Sequence, residues 1–389
     1  MPPRLLQAHR DHHERRAWLR LSLTPGLGPV ATRALLQEFG LPIALFDGSL
    51  SQASLVRVAG DTLARALRAP PSADQDQAMQ SAQAWLDAQP GRFLLTLADA
   101  DYPQPLLELN DAPAVLFGAG RRELLARSCI GIVGSRNATR QGVENAEAFA
   151  ATLGGAGLCV ASGLASGIDA AAHRGALETA GGTIAFLGTG IDVVYPAGQS
   201  RLTAALAQRG LLLSEFALGT SPHPGNFPRR NRLIAAMSRG VLVMEAAVRS
   251  GSLITARLAA ELGREVFAIP GSIHSPLSRG CHQLIREGAK LVESAQDVME
   301  ELRWGAGRNR DHDAAGAAEA GEVDDCNEVL AALGHDPVDV DTLAARLQRD
   351  AGTVVAQLLE LELAALVERL PGNRYQRLHS RGGRFKGLK

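Results

Sequence analysis

With 389 residues, 46% of them hydrophobic and 21% charged, the chain has a globular composition and exceeds the length of one ordinary domain. No apolar run reaches the roughly 18 residues a membrane span needs, and residues 1–20 are rich in Arg and His where a signal peptide would be apolar, so a cytoplasmic protein with no membrane partner is expected. A net charge of -1 gives no global attraction to polyanions, so any nucleic-acid site must come from cations gathered on one surface.

In chain order, residues 16–86 carry a helical pattern of short apolar stretches broken by Gly and Pro, and 1–88 is taken as a small N-terminal helical domain. Gly26-Leu27-Gly28-Pro29-Val30-Ala31 formally matches G-x-G-x-x-A, but no parallel strand precedes it. The stretch reads better as a helix-hairpin-helix turn, giving the domain a SAM or helix-hairpin-helix character.

From 89 to 303, apolar runs at 130–133, 158–161, 183–187, 211–214, 241–244 and 265–269 alternate with amphipathic stretches. Strands separated by helices of this length imply right-handed crossovers, and hence a Rossmann-like, doubly wound, mostly parallel α/β sheet. A strand pair at 93–97 and 114–117 is expected to extend it. Residues 304–325, rich in Ala, Gly and acidic residues, read as a flexible linker. Helices at 328–333, 340–347 and 351–361, then strands at 366–370 and 374–378 around Pro371-Gly372-Asn373, predict a C-terminal winged helix over 326–379. A basic tail, 380–389, follows.

In an open α/β sheet, ligands bind beyond the carboxyl ends of the strands, so the loops there carry the candidate chemistry. Gly134-Ser135-Arg136 with Thr139 offers close backbone approach, a guanidinium and a helix cap. Ser162-Gly163 and Ser166-Gly167 form a second loop, ahead of Asp169 and His173. Gly188-Thr189-Gly190 leads a third toward Asp192 and Tyr195-Pro196. Phe227 with Arg229, Arg230, Asn231 and Arg232 opens a helix, as do Ser250, Gly251, Ser252 and Thr255. Such a rim suits a polyanion, with Phe227 the first and Tyr195 the second candidate for stacking. Among the arginines, Arg230 and Arg232 are preferred over Arg229 as groove-facing.

Enzyme signatures are missing. G-x-x-x-x-G-K-[ST] does not occur, and the first strand of the α/β region leads into Gly-Ser-Arg where a dinucleotide site has G-x-G-x-x-G. The 4 cysteines, Cys129, Cys159, Cys281 and Cys326, include no C-x-x-C pair, so neither a metal nor a redox cofactor is expected. Asp169 and Asp192 read as caps or loop braces, Glu245 as a brace for an Arg or a backbone amide, and His173 as a packed histidine.

Gly134-Ser-Arg, Ser162 through His173, Gly188 through Pro196, Phe227 through Arg232, Ser250 through Thr255 and Ile269-Pro270-Gly271-Ser272 occur in the order and spacing of the DNA processing protein A (DprA/Smf) family, which the chain resembles over nearly its whole length. The resemblance implies a protein without catalytic activity that binds and protects incoming single-stranded DNA, dimerises, and helps load the RecA recombinase in natural transformation. By that likeness Arg136 and 227–232 line the DNA pocket, 250–255 adds amides and hydroxyls, and the region around Gly280-Cys281-His282 serves dimer and recombinase contacts. Family members often carry Lys after the Tyr-Pro pair; here Ala197 stands there, and Arg201 or Arg229 would have to replace it. Two other functions fit parts of the pattern. A nucleotide monophosphate phosphoribohydrolase would share the fold, but its Pro-Gly-Gly-x-Gly-Thr turn is replaced by Arg249-Ser-Gly-Ser-Leu-Ile-Thr. A transcription regulator built on the winged helix would read duplex DNA, although the third helix of that module carries little positive charge and favours protein contact.

Overall fold

The computed structural model describes residues 3–304, 329–330, 332–333, 337–363 and 366–377, with side chains described from residue 12 and not at 363. Five helices come first: α1 (Pro3–Ser22), α2 (Pro29–Phe39), α3 (Pro42–Phe46), α4 (Gln52–Arg68) and α5 (Ala73–Ala88). Pro29 and Pro42 sit in the first turns of α2 and α3, where a missing N–H costs nothing. Ser51 caps α4, and Ser72 forms a reciprocal capping box with Gln75 at α5. Their apolar faces, including Trp18, Leu35, Leu55 and Met79, bury against Val115, Phe117 and Leu212 of the sheet, so the helical region shares a core with the sheet beside it. No described helix is long and apolar enough to cross a membrane.

The sheet begins with β1 (Arg92–Thr96), α6 (Gln104–Leu107) and β2 (Val115–Gly120). A repeating series follows: β3 (Cys129–Val133), α7 (Arg140–Gly155), β4 (Cys159–Ser162), α8 (Ile168–Ala176), β5 (Thr183–Phe186), α9 (Ser200–Arg209), β6 (Leu211–Ser214), α10 (Asn226–Met237), β7 (Ser238–Val243), α11 (Gly251–Glu261), β8 (Glu265–Ala268), α12 (Arg279–Arg286), β9 (Lys290–Leu291) and α13 (Ala295–Glu301). The strands lie in the order β1-β2-β6-β5-β4-β3-β7-β8-β9. From β6 to β9 all pairs are parallel, while β2 runs antiparallel to β6 and β1 antiparallel to β2. The expected Rossmann-like architecture is present, with the first strand pair on the sheet as anticipated.

Along β3, Ile130 and Ile132 bury in one layer with α7 and α8, while Cys129 and Val133 bury in the other with α10 and α11, as a two-residue period requires. Both faces are covered, which explains runs with no polar alternation. Two differences from expectation appear. Strand β7 starts at Ser238, because Ser238 still pairs with Cys129 on β3. The short β9 edge, carrying Lys290, gave no apolar run to read.

In the C-terminal module, Val329, Leu330, Ala332 and Leu333 are helical. Then come β10 (Val338–Asp339), α14 (Val340–Leu347), α15 (Ala351–Leu363), β11 (Val367–Leu370) and β12 (Arg374–Arg377), the strands ordered β10-β12-β11. Gly372 and Asn373, with φ of 86° and 55°, turn the β11–β12 hairpin. The helices and hairpin close on Leu343, Val354, Leu358, Val367 and Tyr375, the core of a winged helix. Of the expected linker, Trp304 is docked, its indole Nε1 donating to the Ala156 carbonyl at 2.9 Å. Positions 305–325 and the basic tail lie outside the described residues.

Candidate nucleic-acid interface

Reading the parallel strands outward, the chain moves from β3 to β4, β5 and β6 on one side, then returns to place β7 on the other side of β3. This reversal leaves a crevice between the carboxyl ends of β3 and β7, the place where doubly wound sheets take ligands. A groove of about 730 Å³ occupies it. Its walls come from the β3–α7 loop (Gly134 to Asn137), from the start of α10 (Phe227, Arg230, Asn231) and from the β7–α11 turn (Arg249 to Ser252, with Thr255). A smaller recess of about 70 Å³ adjoins it, sharing Arg136, Ala165, Tyr195, Phe227 and Arg230 and reaching Gly163, Ser166 and Thr189.

Two arginines in this space differ in kind. Arg136 is exposed, its guanidinium 5.1 Å from the centre of the Phe227 ring, and Tyr195 faces the same ring at 5.6 Å with a 35° tilt. Arg230 is only 4% exposed. Its Nη1 donates to the carbonyls of Gly163 and Phe186, and its Nε to Asn231 Oδ1 at 3.0 Å. Burial pulls its pKa down to about 10, against the pull of Asp169, so it remains a cation at neutral pH. A Cβ at Gly163 would stand 2.4 Å from that guanidinium, so the absence of a side chain there makes room for Arg230. Gly188 similarly makes room for Phe227, whose ring would lie 2.7 Å from a Cβ.

At the far wall, Ser250 caps α11 by accepting from Ser252 N at 3.3 Å, and the exposed Gly251 follows. The groove thus presents the cations of Arg136, Arg230 and Arg249, a helix start, and a pair of rings, a combination that suits phosphates and unpaired bases.

A sequence profile described as DNA recombination-mediator protein A matches residues 93–303, and one for the DprA winged helix domain matches 313–373. Protein Smf of Escherichia coli is 42% identical over 306 residues, which cover 78% of this chain and 81% of that protein. The chain belongs to the DprA/Smf family. DNA processing protein DprA of Streptococcus pneumoniae is 49% identical over 209 residues, 54% of this chain and 74% of its own. Its crystal structure superposes with a TM-score of 0.62 at 38% identity, covering 73% of this chain and 95% of that one. A Helicobacter pylori DprA structure, whose subject is the binding of single-stranded DNA, matches with a TM-score of 0.50 at 30% identity, over 54% of this chain and 95% of that one.

Within this DprA-family chain, most residues singled out from sequence converge. Gly134, Ser135, Arg136, Phe227, Arg230, Asn231, Ser250, Gly251, Ser252 and Thr255 line the groove, and Gly163 and Ser166 line the recess. Five do not. Ser162 is fully buried, its hydroxyl donating to the Ile132 carbonyl at 2.6 Å. Thr139 caps α7 and donates its hydroxyl to Glu245. Gly167 turns the chain with a φ of 76°, so close that a Cβ would meet the Ser135 carbonyl oxygen at 2.3 Å. Arg232 is buried, with Nη2 donating to Glu215 and Nε 3.0 Å from Asp111, and Arg229 Nε lies 3.2 Å from the same Glu215.

The preference for Arg230 with Arg232 is therefore corrected to Arg230 alone, for a geometric reason. On a helix, positions three apart share a face, so Arg229 and Arg232 turn together toward Glu215 while Arg230 points elsewhere. Arg249 and Asn137 line the groove and were missed as site residues. The signal for Arg249 was its place directly before the Ser250 cap. Neither Arg201 nor Arg229 lines the groove as a substitute for the lysine absent at Ala197.

Asp169, which lines the groove, and Asp192 and His173, which do not, each make internal hydrogen bonds, although the buried Nε2 of His173 has no partner among the described residues. Asp169 accepts from Gly163 N at 3.2 Å, and burial pushes its carboxyl upward against the attraction of Arg230. Asp192 accepts from Gly219 N at 2.9 Å. His173 is fully buried with Nδ1 2.7 Å from the Thr183 hydroxyl, and burial beside Arg230 drives its pKa down to about 3. Among the described residues no group of three or more His, Cys, Asp or Glu side chains is placed to hold a metal ion.

Proposed function

We propose that the chain binds single-stranded DNA along this groove, phosphates meeting Arg136, Arg230, Arg249 and the α11 start while bases stack on the Phe227–Tyr195 pair. The observation that carries the reading is the convergence of these cations and rings on one continuous crevice at the β3/β7 switch point. The single-stranded DNA binding of the Helicobacter relative supports the same ligand. The role is that of a non-catalytic mediator in the cytoplasm, protecting incoming strands and helping to load the RecA recombinase during natural transformation, as a homodimer through the Rossmann-like domain. Engagement of Asp169, Asp192 and His173 in internal hydrogen bonds supports a binding role over a hydrolytic one.

The proposed organisation is 1–88 helical, 89–303 Rossmann-like, 304–325 linker, 326–379 winged helix and 380–389 tail. The winged helix is assigned to protein contact: α15 holds no Lys or Arg and exposes Val355 and Leu359.

Salt-dependent binding of a labelled single strand, with duplex as competitor, tests the central reading. Tight binding that weakens linearly with log salt and resists duplex is expected. Equal competition by duplex, or release of base from nucleoside monophosphates, would overturn it.

A further inference from the structure

A carboxylate beside a groove for polyanions is electrostatically unwelcome, yet Glu245 stands at the mouth of β7, next to the loop that carries Arg136. Its contacts explain why. The Glu245 backbone carbonyl accepts from Ser135 N at 2.7 Å, fastening one end of that loop. Its side chain fastens the other end: Oε2 accepts from Thr139 N at 2.9 Å and Oε1 from the Thr139 hydroxyl at 2.6 Å. That hydroxyl in turn accepts from Gly142 N at 2.9 Å, so the carboxylate is tied into the cap of α7. The space has been cleared for it, since a Cβ at Gly142 would come within 2.5 Å of the Glu245 carboxyl carbon.

We infer that Glu245 is the positioning residue for Arg136, clamping the 135–139 segment at both ends so that the guanidinium is held over Phe227 before DNA arrives. Ordering this loop in advance removes an entropic cost from binding. The inference rests on the proposed binding of single-stranded DNA, and its test separates the two.

Charge and position make opposite predictions. If Glu245 acted through its charge, Glu245→Ala and Glu245→Gln would both tighten binding of a single-stranded oligonucleotide, because each removes the same negative charge. As a positioning residue, Glu245→Ala weakens binding about threefold or more and flattens the salt slope by about 0.7, the share of one lost phosphate contact. Glu245→Gln recovers most of that loss, since its amide can still accept from Thr139 N and donate to the Thr139 hydroxyl. Combined with Arg136→Ala, Glu245→Ala then adds little further loss. Where Glu245→Ala lowers the melting temperature too far to be titrated, Thr139→Val removes the gripped hydroxyl, leaves the Thr139 N–H contact, and gives a smaller loss in the same direction. Tighter binding by both Glu245 variants, losses that multiply in the double variant, or unchanged binding by Thr139→Val overturns the inference and leaves the groove assignment standing. If Arg136→Ala alone changes neither affinity nor salt slope, the groove assignment falls and this inference with it.

Discussion

The guanidinium of Arg136 lies 5.1 Å over one side of the Phe227 ring while Tyr195 stands 5.6 Å from it, so cation and aromatic surface are presented together. The two groups have separable roles. Arg136→Ala is expected to weaken single-strand binding about tenfold and reduce the salt slope by about 0.7. Phe227→Ala removes stacking worth about 1–3 kcal/mol per base and leaves the slope unchanged. Titrations at several salt concentrations check both; a changed slope for Phe227→Ala would show that its ring serves only to hold Arg136.

Gly163 and Arg230 form a tight pair. With Nη1 held by two carbonyls, the guanidinium can retreat from a new methyl at 2.4 Å only by giving up those hydrogen bonds. Gly163→Ala is expected to destabilise the protein by about 1–3 kcal/mol and to weaken DNA binding as Arg230 shifts. Urea denaturation with oligonucleotide titration tests it, and wild-type behaviour in both would mean that the cation has slack.

Arg232 should matter for stability and not for DNA. Removing it leaves the buried Glu215 with Arg229 as its remaining ion-pair partner among the described residues, so Arg232→Ala costs about 3 kcal/mol or more by denaturant unfolding. In the folded fraction the salt slope of DNA binding should equal that of wild type. A slope reduced as for Arg136→Ala would return Arg232 to the interface.

His173 gives a pH dependence of defined sign. Its folded pKa of about 3 lies below the ordinary histidine value of 6.5, so in acid the unfolded chain binds a proton that the folded one refuses. The stabilising contribution is complete above about pH 6.5 and is lost as pH falls toward 3, at up to about 1.4 kcal/mol per unit. Asp169, raised by its burial, acts in the opposite direction at acid pH, so the test is the difference between wild type and His173→Asn, not either curve alone. A flat difference between pH 6.5 and 4 would mean that the imidazole is protonated in the fold.

Local chemistry was enough to read the layout. Apolar runs separated by amphipathic segments determined a parallel sheet covered on both faces, because only that arrangement buries such strands. Thr139 marked a helix cap and the Ser250 segment a helix opening, and strand-to-helix loops marked the rim where ligands bind. Which arginines face the groove was decided only in three dimensions. Glu215 and Asp111 come from other parts of the chain, and their approach to α10 withdrew Arg229 and Arg232 while leaving Arg230 beneath the groove. The clamp of Glu245 on Thr139 likewise joins residues far apart in sequence. Periodicity reports which side of an element is apolar; which polar partner waits on the other side depends on strand order, and that exists only once the sheet has formed.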